Sequence, residues 1–158
     1  MKKLMLFLII LSTLILQTRF SYAEQVSCDS AIHDANRELS LKNMGTIQDV
    51  KSLVTLLRDI NRYTIPNNYV TRDMAIKQGW SGNPNDSLWA VWTLNKKYLL
   101  DEVHNGKLKP EGRWFAANLD AIRGYPSTKY LIYNPQSSAR YVSTDGLKTL
   151  IELSPCRD

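Results

Sequence analysis

Apolar positions recur at helical spacing in the first half of the chain and alternate at strand spacing in the second. In "TIQDVKSLVTLLRDINRY" the residues Val50, Leu53, Val54, Leu57 and Ile60 fall on one face of a 3.6-residue repeat, which predicts a core-facing helix. Thr46 and Asp49 have the spacing of a capping box at its start, and Pro66 marks its end. Upstream, "SCDSAIHDANRELSLKNMG" reads as a leader helix that Asp29 or Ser30 would cap and Gly45 would close. Downstream, "NNYV" bridges to a shorter helix, capped by Thr71, running through Ala75 and Ile76 and stopping at Gly79.

"SLWAVWTLNKKYLLDEV" is ambiguous, since Leu88, Val91, Trp92 and Leu99 suit a helix while a Gly-Asn-Pro-Asn loop precedes it; it is read as partly helical. After Gly112 the texture changes. "RWFAANL", "KYLIYN", "ARYVST" and "LKTLIEL" are short, aromatic or β-branched, and separated by turn formers. Alternation along "KYLIY" puts Lys129, Leu131 and Tyr133 on one face and Tyr130 and Ile132 on the other. N-terminal helices followed by a C-terminal antiparallel sheet give an α+β class.

The first 23 residues stand apart from this pattern. A basic Met1-Lys2-Lys3 start, the apolar stretch Leu4 to Leu16 and small residues at Ser21 and Ala23 have the layout of a signal peptide cleaved after Ala23. The apolar stretch is shorter than the roughly 20 residues that span a bilayer, so no membrane attachment is expected after cleavage. Residues 24–45 would then form the leader-helix extension and residues 46–158 the main domain. Export to a periplasm or out of the cell follows.

Removing the leader alters the charge picture. The chain carries 20 basic and 15 acidic residues; Lys2, Lys3 and Arg19 fall in the leader, which has no acid, leaving 17 against 15. A net +2 is too mild to point to nucleic acid without a basic cluster.

Cys28 and Cys156 are the two cysteines of the chain. In an exported protein they are expected to bridge, bringing both ends of the mature chain together. No CxxC or HExxH pattern accompanies them, and the histidines are His33 and His104. No metal site and no cofactor is expected.

Pro66, Asn68-Tyr69-Val70-Thr71, Ala75 and Gly79-Trp80 stand in an order that resembles the barnase-type bacterial ribonucleases. Further matches follow in register: Gly106-Lys107-Leu108, Gly112-Arg113-Trp114, Gly124-Tyr125, Ile132-Tyr133, Thr144-Asp145 and Thr149. The resemblance runs from about Val50 to Leu153 and leaves the leader helix without a counterpart. It implies a microbial ribonuclease fold, with helices packed on an antiparallel sheet whose concave face receives RNA.

Members of that family cleave RNA with a glutamate base, a histidine acid and arginines on the phosphate. Here the motif after Trp114 reads Phe-Ala-Ala-Asn, so the resemblance puts Ala116 at the base position and Asn118 at an aspartate position. Gly146 stands where the family has its acid histidine. Pro126 and Tyr130 occupy the two arginine positions, with Lys129 the nearest cation. The guanine-reading loop is shortened to Val103-His104-Asn105-Gly106 and lacks its glutamate. Departures gather on the chemistry and the retained matches are mainly structural.

Arg72 matches a position where relatives often carry a lysine facing the site, and equally suits an exposed first residue of a helix. Arg113, Arg123, Lys129, Tyr130, Arg140 and Tyr141 are candidates for a face that meets phosphate and stacks bases, against solvated strand decoration for each singly. His104, beside Asp101 and Glu102, is the candidate for a relocated acid–base group, against a plain loop histidine; His33 beside Asp34 is weaker. Trp80 and Trp114 match structural positions, and Trp89 and Trp92 read as core filling. The sequence thus points to an exported, monomeric, non-catalytic binding module with RNA or a nucleotide as ligand. Alternatives are an active ribonuclease with relocated groups and an envelope protein with a protein partner.

Overall fold

The computed structural model describes residues 25–91 and 96–158. The leader read as a signal peptide and Trp92 lie outside those residues. The described elements are α1 (Cys28–Leu41), α2 (Val50–Ile60), β1 (Tyr69–Thr71), α3 (Arg72–Lys77), a 3₁₀ turn (Leu88–Ala90), β2 (Lys97–Leu100), β3 (Phe115–Leu119), β4 (Lys129–Tyr133), β5 (Arg140–Ser143) and β6 (Ile151–Leu153). Among the described residues no helix is long and apolar enough to cross a membrane.

The six strands form one sheet in chain order, β1 to β6. The α+β class holds, but the expected antiparallel sheet is mixed, because β1 runs parallel to β2. The chain between them passes through α3, and a long crossover of that kind returns a strand in the same direction. All later neighbours are antiparallel. Strands also begin earlier than expected: Leu99 lies on β2, and among the described residues of the ambiguous stretch helix amounts to the turn at Leu88–Ala90.

Both long helices pack on one sheet face. Ala31, Ile32, Ala35 and Leu39 of α1 and Leu53, Leu56, Leu57 and Ile60 of α2 share one apolar cluster with Leu99, Phe115, Leu131, Tyr133, Val142 and Ile151. Burying each of those leucine and isoleucine side chains stabilises the fold by roughly 1.5–3 kcal/mol. The leader helix is thereby part of the same core as the sheet.

The helix ends differ in detail from the expected caps. Ser27, not Asp29 or Ser30, caps α1, its Oγ accepting from Ser30 N at 3.2 Å. Asn43, at φ 55°, turns the chain out of α1 before Gly45 is reached, a left-handed conformation that asparagine tolerates. Asp49 rather than Thr46 caps α2, accepting from Ser52 N at 2.9 Å, and α2 stops at Ile60, well short of Pro66. Thr71 caps α3 as expected.

The cysteines are bridged, with Cα atoms 4.8 Å apart. Beside them Val26 and Cys156 form a β-bridge and Arg157 N donates to Val26 O at 3.1 Å. Asp158 Oδ1 accepts from Cys28 N at 3.3 Å. The two ends of the described chain are therefore tied at the start of α1.

Candidate functional site: the sheet face opposite the long helices

Side-chain alternation assigns the strand residues to two faces. Phe115, Ala117, Leu131, Tyr133 and Val142 meet the helices; Ala116, Ile132, Tyr130 and Tyr141 point the other way. Ala116 pairs with Ile132 across β3 and β4, and both are fully buried. Trp114, Val103 and Leu108 close over them, and Trp114 meets the Tyr141 ring edge-on at 5.8 Å. The side chain at position 116 is thus a methyl group inside a small second core.

Asn118 lies next along the same face, opposite Tyr130. Its Nδ2 donates to Ser127 O at 2.8 Å and to Lys129 O at 3.2 Å, while Oδ1 accepts from Ser127 N at 3.0 Å. A carboxylate could not donate to those two carbonyls, so the asparagine staples the loop that contains Pro126. That loop also carries Gly124, at φ 79°, whose backbone lies so close to Trp89 that an added Cβ would stand 2.6 Å from the indole. Trp89 is 41% exposed and is not core filling. Trp80 and Trp114 are buried, in keeping with structural roles.

Gly146 has φ 72°, and a Cβ there would meet nothing within 4 Å. Its neighbour Asp145 is structural. Burial pushes the Asp145 carboxyl up, but hydrogen bonds from Thr149, Ser143 and Lys148 outweigh it and hold the group below its ordinary value. No proton-transfer group stands at either Ala116 or Gly146.

Two phenols and one guanidinium gather toward the β1–β2 end of this face. Burial raises the Tyr98 pKa, the Tyr130 hydroxyl raises it further, and nearby Arg72 lowers it. Tyr130 is also raised by burial, against a hydrogen bond with Asn118. Arg72 is the exposed first residue of α3. Tyr98 packs against Trp80 with ring centroids 5.8 Å apart.

The other cations do not join Arg72. Lys129 lies on the helix side and binds Asp120 Oδ2 at 2.8 Å and Thr46 O at 2.6 Å. Arg140 shares the helix-side register of Val142 and donates to the carbonyls of Ser137 and Ala139. Arg113 holds Asp101 at 3.3 Å and lies over the Phe115 ring at 5.1 Å. Arg123 stands at φ 50° in the exposed turn beside Gly124.

His104 Nε2 lies 3.2 Å from Glu102 Oε1, with side chains 84% and 69% exposed. Asp101 is engaged by Arg113 instead. His33 pairs with Asp29 at 3.3 Å rather than with Asp34, which binds Arg37. Among the described residues no cluster of His, Cys, Asp or Glu has the makings of a metal site.

Tyr98 was not singled out by the sequence. The alternation of "KYLL" on β2 carried that signal, but it is too short to separate from a helical repeat. Neither a protein-family model nor a curated protein matches this chain.

Proposed function

We propose that the protein is an exported, barnase-like binding module whose ribonuclease site has degenerated, and that its ligand is single-stranded RNA or a nucleotide. The observation that carries this reading is the fully buried Ala116–Ile132 pair in place of a carboxylate. General acid–base cleavage needs titratable groups within hydrogen-bond reach of the protons they move, and this face offers phenols with raised pKa values. The Cys28–Cys156 bridge supports export, since such bonds persist in oxidising compartments.

What the face can do is stack and attract. Half-buried Tyr130 supplies an aromatic surface, with Tyr98 packed beneath against Trp80, and Arg72 supplies a phosphate partner, a combination that binds single strands with little sequence preference. With a single arginine there, binding is weak and salt-sensitive. Fluorescence anisotropy of a short labelled RNA on residues 24–158 tests this: Arg72→Ala and Tyr130→Ala are each expected to weaken binding several-fold. Binding unchanged in both variants would overturn the placement of the ligand. No binding at low salt would overturn the RNA reading itself.

A second reading rests on the 3.2 Å His104–Glu102 pair, which has the composition of an acid–base dyad. Its exposure argues against a pre-organised site, because water replaces the protein's orienting groups.

A further inference from the structure

A separate cavity of 380 Å³ opens on the other side of the molecule, where the end of α2, the start of β5 and the tail after β6 converge on the disulfide. Arg58, Arg140 and Arg157 reach it from those three segments. Its apolar wall comes from Leu57, Leu153 and the Cys28–Cys156 bridge. None of this belongs to the face that carries Ala116.

Charge is unbalanced there. Asp158 is the carboxylate residue of the lining, and it is already engaged, by Arg58 at 3.4 Å and by Cys28 N at 3.3 Å. Arg140 is half-buried, yet its guanidinium meets only neutral acceptors among the described residues: the carbonyls of Ser137 and Ala139 and, at 3.5 Å each, Asn134 O and Asn61 Oδ1. Among the described residues no ion pair joins Arg140 or Arg157 to a carboxylate. A guanidinium taken out of water without a counter-charge is costly, and the cost is recovered when an anion arrives. Burial accordingly lowers the Arg140 pKa.

We propose that this cavity is a binding site for a small organic phosphomonoester. Arg58 is paired with Asp158, so Arg140 and Arg157 bring two guanidinium groups that no carboxylate among the described residues pairs, and the several anionic oxygens of a phosphate meet them more fully than a single carboxylate does. Guanidinium forks fit the tetrahedral oxygens. The apolar wall takes the ester's organic part, and a cavity of this size falls within the range of small-molecule sites. Because the disulfide forms part of the wall, the site depends on the oxidised protein.

Isotope-labelled, disulfide-bonded protein titrated with phenyl phosphate, inorganic phosphate and benzoate provides the test. Phenyl phosphate is expected to give saturable amide shifts around Arg58, Arg140 and Arg157, with tighter binding than either of the other two. Arg157 is an exposed rim residue with no ion pair among the described residues, so Arg157→Ala leaves the fold intact and is expected to weaken binding by about tenfold. Arg140→Lys keeps the charge and removes the fork, and is expected to weaken it as well. The proposal is overturned if no saturable shifts appear around these arginines up to about 10 mM. It is equally overturned if benzoate matches phenyl phosphate, or if Arg157→Ala binds like the wild type. A Tyr130→Ala variant should retain phenyl phosphate binding, which separates this site from the RNA face.

Discussion

Ala116 and Ile132 face each other across β3 and β4 with no surface exposed to solvent, on the side of the sheet away from α1 and α2. In this packing an ionised carboxylate at position 116 would be surrounded by Trp114, Val103 and Leu108, which offer it no counter-charge.

Ala116→Glu is therefore expected to destabilise the protein by about 3–5 kcal/mol at pH 7. The buried acid's folded pKa would rise above its unfolded value, so the deficit grows as pH increases above about 4.3. Denaturant unfolding at pH 4 and pH 7 measures this. A variant as stable as the wild type at pH 7 would show that the face is open at Ala116.

The Cys28–Cys156 bridge closes a loop of sequence separation 128. In the chain-entropy account, losing it costs about 4–5 kcal/mol. Unfolding of the double variant Cys28→Ser with Cys156→Ser should show a loss of that order, with α1 the first helix to lose amide protection, since its start is held at the bridge. Undiminished stability would mean that the contacts of α1 with the core suffice alone.

Asp120 ties the start of α2 to the sheet. Its carboxylate accepts from Gln48 N at 2.9 Å, Asp49 N at 3.0 Å and Lys129 Nζ at 2.8 Å. Burial pushes its pKa up, but these bonds and the Lys129 charge outweigh it, leaving the group below its ordinary value. A depressed folded pKa stabilises fully above the unfolded value of about 3.9 and is lost as pH falls through the folded one. Asp120→Asn keeps a residue suited to φ 51° and should cost about 1–3 kcal/mol at neutral pH. The gap to the wild type should close below about pH 4; a gap independent of pH would assign the effect to shape rather than charge.

Periodicity made α2, α3 and the middle strands readable, because Leu53, Leu57 and Ile60 on one side and "KYLIY" on the other leave little choice of repeat. It could not show β1, whose three residues Tyr69, Val70 and Thr71 are all buried and so do not alternate. Nor could it show β2, where four residues of "KYLL" fit either period. The alternation placed Lys129 with Leu131 and Tyr133 correctly, yet it carries no information on which face receives the helices. Arg113, Lys129 and Arg140 consequently looked like candidates for a shared phosphate-binding face, and long-range packing of α1 and α2 decided otherwise. The arginine cavity was not readable for the same reason: it joins positions 58, 140 and 157, which meet only in the folded chain.

The most direct measurement is cleavage of a guanine-containing fluorogenic RNA by purified residues 24–158, alongside His104→Ala. Loss of a proton-transfer group costs at least about 10²- to 10⁴-fold in rate, and neither Ala116 nor Gly146 can supply one. No guanine-selective turnover is expected above the background shared with His104→Ala. Robust turnover by the wild type that His104→Ala abolishes would contradict this and place an active ribonuclease site at the His104–Glu102 pair.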